Sequence, residues 1–429
     1  MEKYIYPPRS EWNLITARPH IDTDKLQDTV RTILEDVRLG GDRAVMCYEE
    51  KFDHAVLDSL IVTADEIDAA VRRTPEELLD ALTLAHDNIA KFHASQRMET
   101  RKVETVSGVE CWQKSVPIEK VGLYVPGGTA PLFSTVLMLA TPANIAGCGE
   151  IVMCTPPGKD GTVNPAILAA AKIAGVHKIF KAGGVQAIAA MAYGTESVPR
   201  VYKIFGPGNR YVMAAKQMVS LQDVAIDMPA GPSEVCIIAD DTSNPAYVAA
   251  DLLSQAEHGT DSQVMLITTS KTLAASVENQ LEAQLMVLPR RDIAAKALEN
   301  SKVVIVKDMG DAVALGNMYA PEHLIIATDD CFRIADMVTN AGSVFLGKYA
   351  CESAGDYASG TNHTLPTHGY ATAYSGVNLD SFIRKITFQH LTDDGIRNIG
   401  RAVEVMADKE GLYAHKNAMT LRIKDILNN

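Results

Sequence analysis

Val121-Gly-Leu-Tyr-Val-Pro-Gly-Gly-Thr-Ala-Pro-Leu-Phe-Ser-Thr135 sets a short β-rich run against a glycine turn, and a helical segment near 134–146 follows. The same unit recurs. Runs at 151–154, 178–180 and 201–205 alternate with helical segments near 164–175, 185–193 and 209–219. Such alternation predicts βαβ units and a parallel sheet. The turns Ala182-Gly-Gly-Val-Gln186 and Phe205-Gly-Pro-Gly-Asn209 would then stand at the carboxyl ends of strands. Open backbone N–H groups and helix N-termini at such ends can hold phosphates. No G-x-G-x-x-G fingerprint is present, so spacing alone does not assign a dinucleotide.

Outward from this block, a second alternating set runs from 234 to about 346, with strands at 235–239, 264–268, 303–306, 323–327 and 343–346. Two α/β halves would meet at a cleft. The link Asp227-Met-Pro-Ala-Gly-Pro-Ser-Glu234 has the Pro and Gly of a crossing or hinge, with Ser233 near the cleft mouth. Towards the amino end, 22–96 is helical, with Gly40-Gly41 as a stop, a capping box at Thr63-Ala-Asp-Glu66 and a long helix over 76–96. Residues 103–117 alternate around Ser107-Gly108 as a hairpin. Past 347, regular structure lapses into a polar loop over 352–369; a strand at 382–387 and helices near 393–407 and 410–428 end the chain.

At 429 residues the chain exceeds what one core usually supports, and 47% apolar content fills two or three domains. A net charge of -13 leaves no positive field for nucleic acid or an anionic membrane. The first residues lack the pattern of a signal peptide, no run is long enough to span a bilayer, and a cytoplasmic protein is expected. Seven cysteines are scattered singly and are expected to be reduced thiols, Cys154 and Cys236 as small core residues. His20, His54, His86 and His93 belong to no chemical cluster.

Chemistry gathers after residue 250. Asn244 can cap a helix, Pro245 suits its first position and Gly259 can close it. Asp251, Gln255 and His258 would then share one polar face over its last two turns. An amide oxygen and an imidazole make half of a zinc-type site, although an ordinary polar helix end has the same pattern. Tyr319-Ala-Pro-Glu-His-Leu324 places a carboxylate beside an imidazole at the mouth of a strand, two proton acceptors of different basicity. Asp356 offers an oxygen ligand, with His363 or His368 nearby, and Lys409-Glu-Gly-Leu-Tyr-Ala-His415 adds another carboxylate and imidazole. Spacing does not say which of these meet.

Gly-Leu-Tyr-Val-Pro-Gly-Gly from 122, Phe-Gly-Pro-Gly-Asn from 205, Met-Pro-Ala-Gly-Pro-Ser-Glu from 228, Ser-Gln-Ala-Glu-His-Gly from 254, Ala-Pro-Glu-His-Leu from 320, Ser-Ala-Gly-Asp-Tyr-Ala-Ser-Gly-Thr-Asn-His from 353 and Glu-Gly-Leu-Tyr-Ala-His from 410 together resemble the histidinol dehydrogenase family, from about residue 20 to the end. The resemblance implies oxidation of L-histidinol to L-histidine through L-histidinal, with two NAD molecules and one Zn2+ per subunit. By position, it implies zinc ligands at Gln255, His258, Asp356 and His415, and NAD contacts at Tyr124, Gln186 and Asn209. Substrate would be held by Ser233, His363 and Glu410 together with Gln255, His258, His323, Asp356 and His415. His323 would be the general base and Glu322 would activate water. A homodimer is implied, in which Glu410 and His415 come from the partner chain.

The fold expected is α/β, with two Rossmann-like parallel-sheet domains and small terminal segments, the C-terminal one helical and exchanged in the dimer. The divisions are an N-terminal extension (1–21), a first α/β domain with metal and catalytic residues (22–120 and 233–377), a second on the NAD side (121–232), and a C-terminal dimerisation segment (378–429). Two rivals stand beside this reading: a same-scaffold dehydrogenase of another small alcohol, such as a sulfonated diol, and a zinc hydrolase using Glu322. A metabolite-binding sensor with two lobes is a third.

Overall fold

The computed structural model describes residues 1–18, 24–127 and 131–428, apart from the side chains of residues 24 and 25. His20, the helix start at Asp22 with the division beside it, and Gly128, Thr129 and Ala130 of the first glycine turn lie outside the described residues. The chain forms two units, Met1–Gln96 with Ile118–Phe382, and Arg97–Pro117 with Ile383–Asn429.

The first unit contains two parallel sheets. One runs Lys178–Lys181, Glu150–Thr155, Lys120–Tyr124, Lys203–Phe205, Ala225–Ile226 in spatial order. The chain moves outward from Lys120–Tyr124 in one direction, then returns to its other side through Lys203–Phe205. That reversal is a topological switch point, and at the carboxyl ends of its two strands stand Tyr124 and the Gly206 turn. The other sheet runs Glu2–Ile5, Lys302–Ile305, Gln263–Thr268, Glu234–Ala239, His323–Ile326, Ser343–Leu346. Glu2–Ile5 is an edge strand inside a stretch expected to be a mere extension.

Burial explains the sequence pattern. Every residue of Glu234–Ala239 and Gln263–Thr268 is buried, because helices cover both faces of the sheet, and such strands read as continuous apolar runs. Each buried Val, Ile or Leu contributes roughly 1.5–3 kcal/mol. Cys154 and Cys236 are core residues here, 0% exposed.

One local expectation holds and two are corrected. Gly40-Gly41 does end the first helix: Asp24–Phe52 comprises two helices that meet at Gly41, whose φ of 54° and ψ of −141° are non-helical and which only glycine adopts readily. The helix capped by Asn244 is Pro245–Ala256 and ends before His258, with Glu257 rather than Gly259 as its C-cap. Residues Glu352–Tyr357, read as loop, form a helix.

The second unit is built on an antiparallel sheet, Ile383–Leu391, Val109–Pro117, Lys102–Val106. Ile383 pairs with Pro117 and Leu391 with Val109. The helices Asp393–Lys409 and Tyr413–Asn428 follow. No helix among the described residues is long and apolar enough to cross a membrane.

Candidate active site

The second sheet delivers its chemistry at the amino ends of its strands. Ser233 and Glu234 open the strand Glu234–Ala239, and Glu322 and His323 stand where His323–Ile326 begins. The helix Pro245–Ala256 runs back from the far edge, so its last turn brings Gln255 to the same place. Gln255 Nε2 donates to Glu322 Oε2 at 3.2 Å, and the Glu234 backbone N–H donates to that oxygen at 2.9 Å. With its nitrogen so engaged, Gln255 turns its Oε1 the other way, buried and without a hydrogen bond.

His323 is sandwiched between acids. Its Nδ1 lies 3.7 Å from Glu322 Oε2 and its Nε2 3.3 Å from Asp356 Oδ1, within ion-pair reach but not aligned as hydrogen bonds. Burial alone would lower the imidazole. The charges of Glu352, Glu322 and Asp356 outweigh it and push His323 up to about 10. Burial pushes Glu322 up to about 8 and Glu352 well above the usual carboxylate range. Asp356 goes the other way: burial would raise it, but His323, His363 and His258 hold it low.

His363 is fixed at both nitrogens. Its Nδ1 lies 3.0 Å from the Asp356 backbone oxygen, which only accepts, so Nδ1 carries the proton. Nε2, 3.1 Å from Thr135 Oγ1, is then the lone-pair nitrogen, consistent with a ring that burial keeps neutral.

A cation has a ready place. Donor atoms of His258, Glu352 and Asp356 lie within 4.8 Å of one another, and Glu352 Oε2, Asp356 Oδ1 and Gln255 Oε1 are buried without hydrogen bonds. Such orphan oxygens are costly unless something positive meets them. Oxygen donors with an imidazole, His258 being exposed on one side, suit zinc and its neighbours. Glu352 was missed by sequence reasoning; once 352–357 is helical, it lies one turn before Asp356, on the same face. Asp251, one turn before Gln255, is pushed up to about 7 by burial. Glu410 and His415 belong to the second unit, Glu410 just after the helix Asp393–Lys409 and His415 in the first turn of Tyr413–Asn428, and both are exposed. The metal cluster itself comes wholly from the first unit.

The other sheet holds the candidate cofactor residues. The Tyr124 hydroxyl accepts the Gly184 N–H at 3.0 Å. Gln186 Nε2 and the Gly183 N–H both donate to Glu49 Oε1, at 2.7 and 2.8 Å, which leaves Gln186 Oε1 buried and bare. Asn209 Oδ1 caps the helix Arg210–Ser220 through the N–H groups of Tyr211 and Val212. Gly206 (φ 125°) packs so closely on Tyr124 that a Cβ there would lie 2.1 Å from the Tyr124 carbonyl oxygen. A bare amide and glycine-lined turns at a switch point are what a nucleotide needs. The two sheets share one cavity of about 80 Å3, lined among others by Gly206, Lys216, Asp227, Ser233, Glu322 and His363.

The family model described as histidinol dehydrogenase matches residues 16–423. The chain is 66% identical over 426 residues to a protein of Bacteroides fragilis named histidinol dehydrogenase, covering 99% of this chain and 100% of that one. It is 49% identical to the protein of that name in Escherichia coli K12, over 96% of this chain and 97% of the other. A crystal structure of histidinol dehydrogenase from Elizabethkingia anophelis superposes with a TM-score of 0.98 at 54% identity, covering 100% of this chain and 99% of that one. By the family model and by its identity to these relatives across nearly its whole length, the chain belongs to the histidinol dehydrogenases.

Proposed function

We propose that the protein oxidises L-histidinol to L-histidine through L-histidinal in two hydride transfers to NAD, with one zinc ion per subunit. The observation that supports this best is the set of bare oxygens on Gln255, Glu352 and Asp356 beside His258, next to the Glu322–His323 pair. Gln255, His258 and Asp356 would hold the zinc, with His415 from a second copy of the chain, and Tyr124, Gln186 and Asn209 would hold NAD. When bound, NAD supplies the hydride acceptor and zinc a Lewis acid that orients the amino and imidazole nitrogens of the substrate.

The residues do the rest. With their charges offset by a cation, Glu352 and Asp356 no longer keep His323 protonated, so that His323 can take the hydroxyl proton as the adjoining carbon gives up its hydride, with Glu322 beside the imidazolium formed. The aldehyde must gain water before a second hydride can leave. Glu322, with a proton affinity that burial brings near neutrality, takes a proton from the attacking water while the His323 imidazolium returns its proton to the carbonyl oxygen. His323, neutral again, deprotonates the hydrate as the second hydride leaves. Ser233, His363 and Glu410 would fix the substrate, Glu410 arriving with His415 in a homodimer whose tail is exchanged. Enclosure limits escape of the reactive aldehyde.

Identity of 66% to a protein named histidinol dehydrogenase supports histidinol over a sulfonated diol, and dehydrogenation over zinc hydrolysis. Seven unpaired cysteines fit a reducing cytoplasm. The deciding experiment supplies L-histidinol and NAD with and without a chelator. Two NADH per histidine are expected, lost on chelation and regained with zinc; absence of histidinol-dependent NADH would end the proposal.

A further inference from the structure

Lys216 Nζ and Asp227 Oδ1 meet at 2.5 Å, with both side chains 1% exposed. A buried ion pair seldom outdoes an apolar pair in stability, so its retention calls for a reason beyond holding the fold. The remaining bonds of this pair supply one. Lys216 Nζ donates to the Gly206 carbonyl at 2.7 Å, and Asp227 Oδ2 accepts the Gly206 N–H at 2.8 Å. Asp227 Oδ1 also accepts the Met228 N–H at 2.7 Å. Opposite charges therefore grip both peptide groups of one glycine, in a turn whose backbone presses on Tyr124. That turn ends a strand at the switch point, and Gly206, Lys216 and Asp227 line the same cavity as Glu322 and His363.

We propose that Lys216 and Asp227 form the positioning and charge-setting pair for the nicotinamide end of NAD: they hold the Gly206 turn beside that ring and keep the wall next to it electrically neutral. This rests on the reading of the Gly206 turn as part of the NAD site. Oxidised nicotinamide carries a positive charge and reduced nicotinamide none. A net charge on the wall therefore shifts the two affinities differently, while simple loss of bracing shifts both alike. With the pair intact, the enzyme can bind the cationic form and release the neutral one without the wall favouring either.

Fluorescence titration of NADH, with NAD as competitor, on zinc-loaded protein tests this directly. Asp227→Asn leaves an unpaired ammonium and should lower the affinity for NAD relative to NADH by about tenfold, whereas Lys216→Met should raise it by a similar factor. The double variant should return the ratio to within about threefold of the wild type while weakening both forms together. An unchanged ratio in all of them would overturn the proposal and leave the pair as a brace of the fold. If either charge variant does not fold, Lys216→Arg and Asp227→Glu keep both charges and alter reach. They should weaken both forms with the ratio intact, and undiminished binding would overturn the positioning role. Wild-type protein without saturable NADH binding would instead refute the NAD reading itself.

Discussion

His258 shows how much one residue decides. It lies just beyond the helix end, within reach of Glu352 and Asp356, and it is the imidazole of that donor set. His258→Ala should lower zinc affinity by at least about 100-fold and remove nearly all turnover, checked by metal analysis after dialysis and by NADH formation; stoichiometric zinc with normal turnover would contradict the ligand assignment. The adjacency of Glu322 and His323 and the Gln255 amide were legible because motifs carry them. Glu352 and Glu49 were not, because a buried acid looks in sequence like any surface acid. Glu49 is 0% exposed and its Oε1 holds Gln186 and Gly183; burial pushes it up to about 8. The folded state therefore keeps a proton that the unfolded chain releases above the ordinary carboxylate range. Stability from this group is present below about 4.5 and is lost as pH rises towards 8. Glu49→Gln keeps the accepting oxygen without the charge, so its Tm should gain on the wild type between pH 6 and pH 9, and a constant difference would refute the burial argument.

Among elements, those with strong local signals came out of the sequence almost whole. The Thr63–Glu66 capping box closes reciprocally, Asn244 and Pro245 start their helix, and the alternating runs became strands within a residue or two, because caps, turns and apolar periodicity are local properties. Long-range matters stayed hidden. Nothing local says that Glu2–Ile5 pairs with Lys302–Ile305, or that Ser233, Gln255, Glu322 and His323 gather at the amino ends of strands. At Gly41 a local signal and tertiary context act together: the glycine ends one helix and begins the next, with the Glu196 carboxylate accepting the Asp42 N–H at 2.7 Å to secure the kink. Gly41→Ala should cost about 1–3 kcal/mol, measured by urea unfolding, since any Cβ there meets both a disallowed φ and the Glu196 side chain. A loss below about 0.5 kcal/mol would mean the helix can straighten and that the kink stores no strain.

At the scale of the whole molecule, the residues proposed for one site are divided between two units. The first unit holds Gln255, His258, Glu352 and Asp356. The second holds Glu410, just after Asp393–Lys409, and His415, in the first turn of Tyr413–Asn428, both exposed. On the proposed reading the tail serves a second copy of the chain, so each site takes its zinc ligands from two polypeptides. Inactive His258→Ala chains keep a sound tail, and inactive His415→Ala chains keep a sound cluster. A hybrid dimer of the two contains one site with both defects and one with neither. Random reassortment of equal amounts makes half the dimers hybrid, and one intact site in each gives about a quarter of wild-type activity. Mixing after mild dissociation, with subunit exchange followed by mass spectrometry of a labelled chain, should recover activity near that level and zinc in proportion. If exchange is complete and activity stays at the level of the separate variants, His415 acts within its own chain, and the shared-site proposal fails while the family assignment stands.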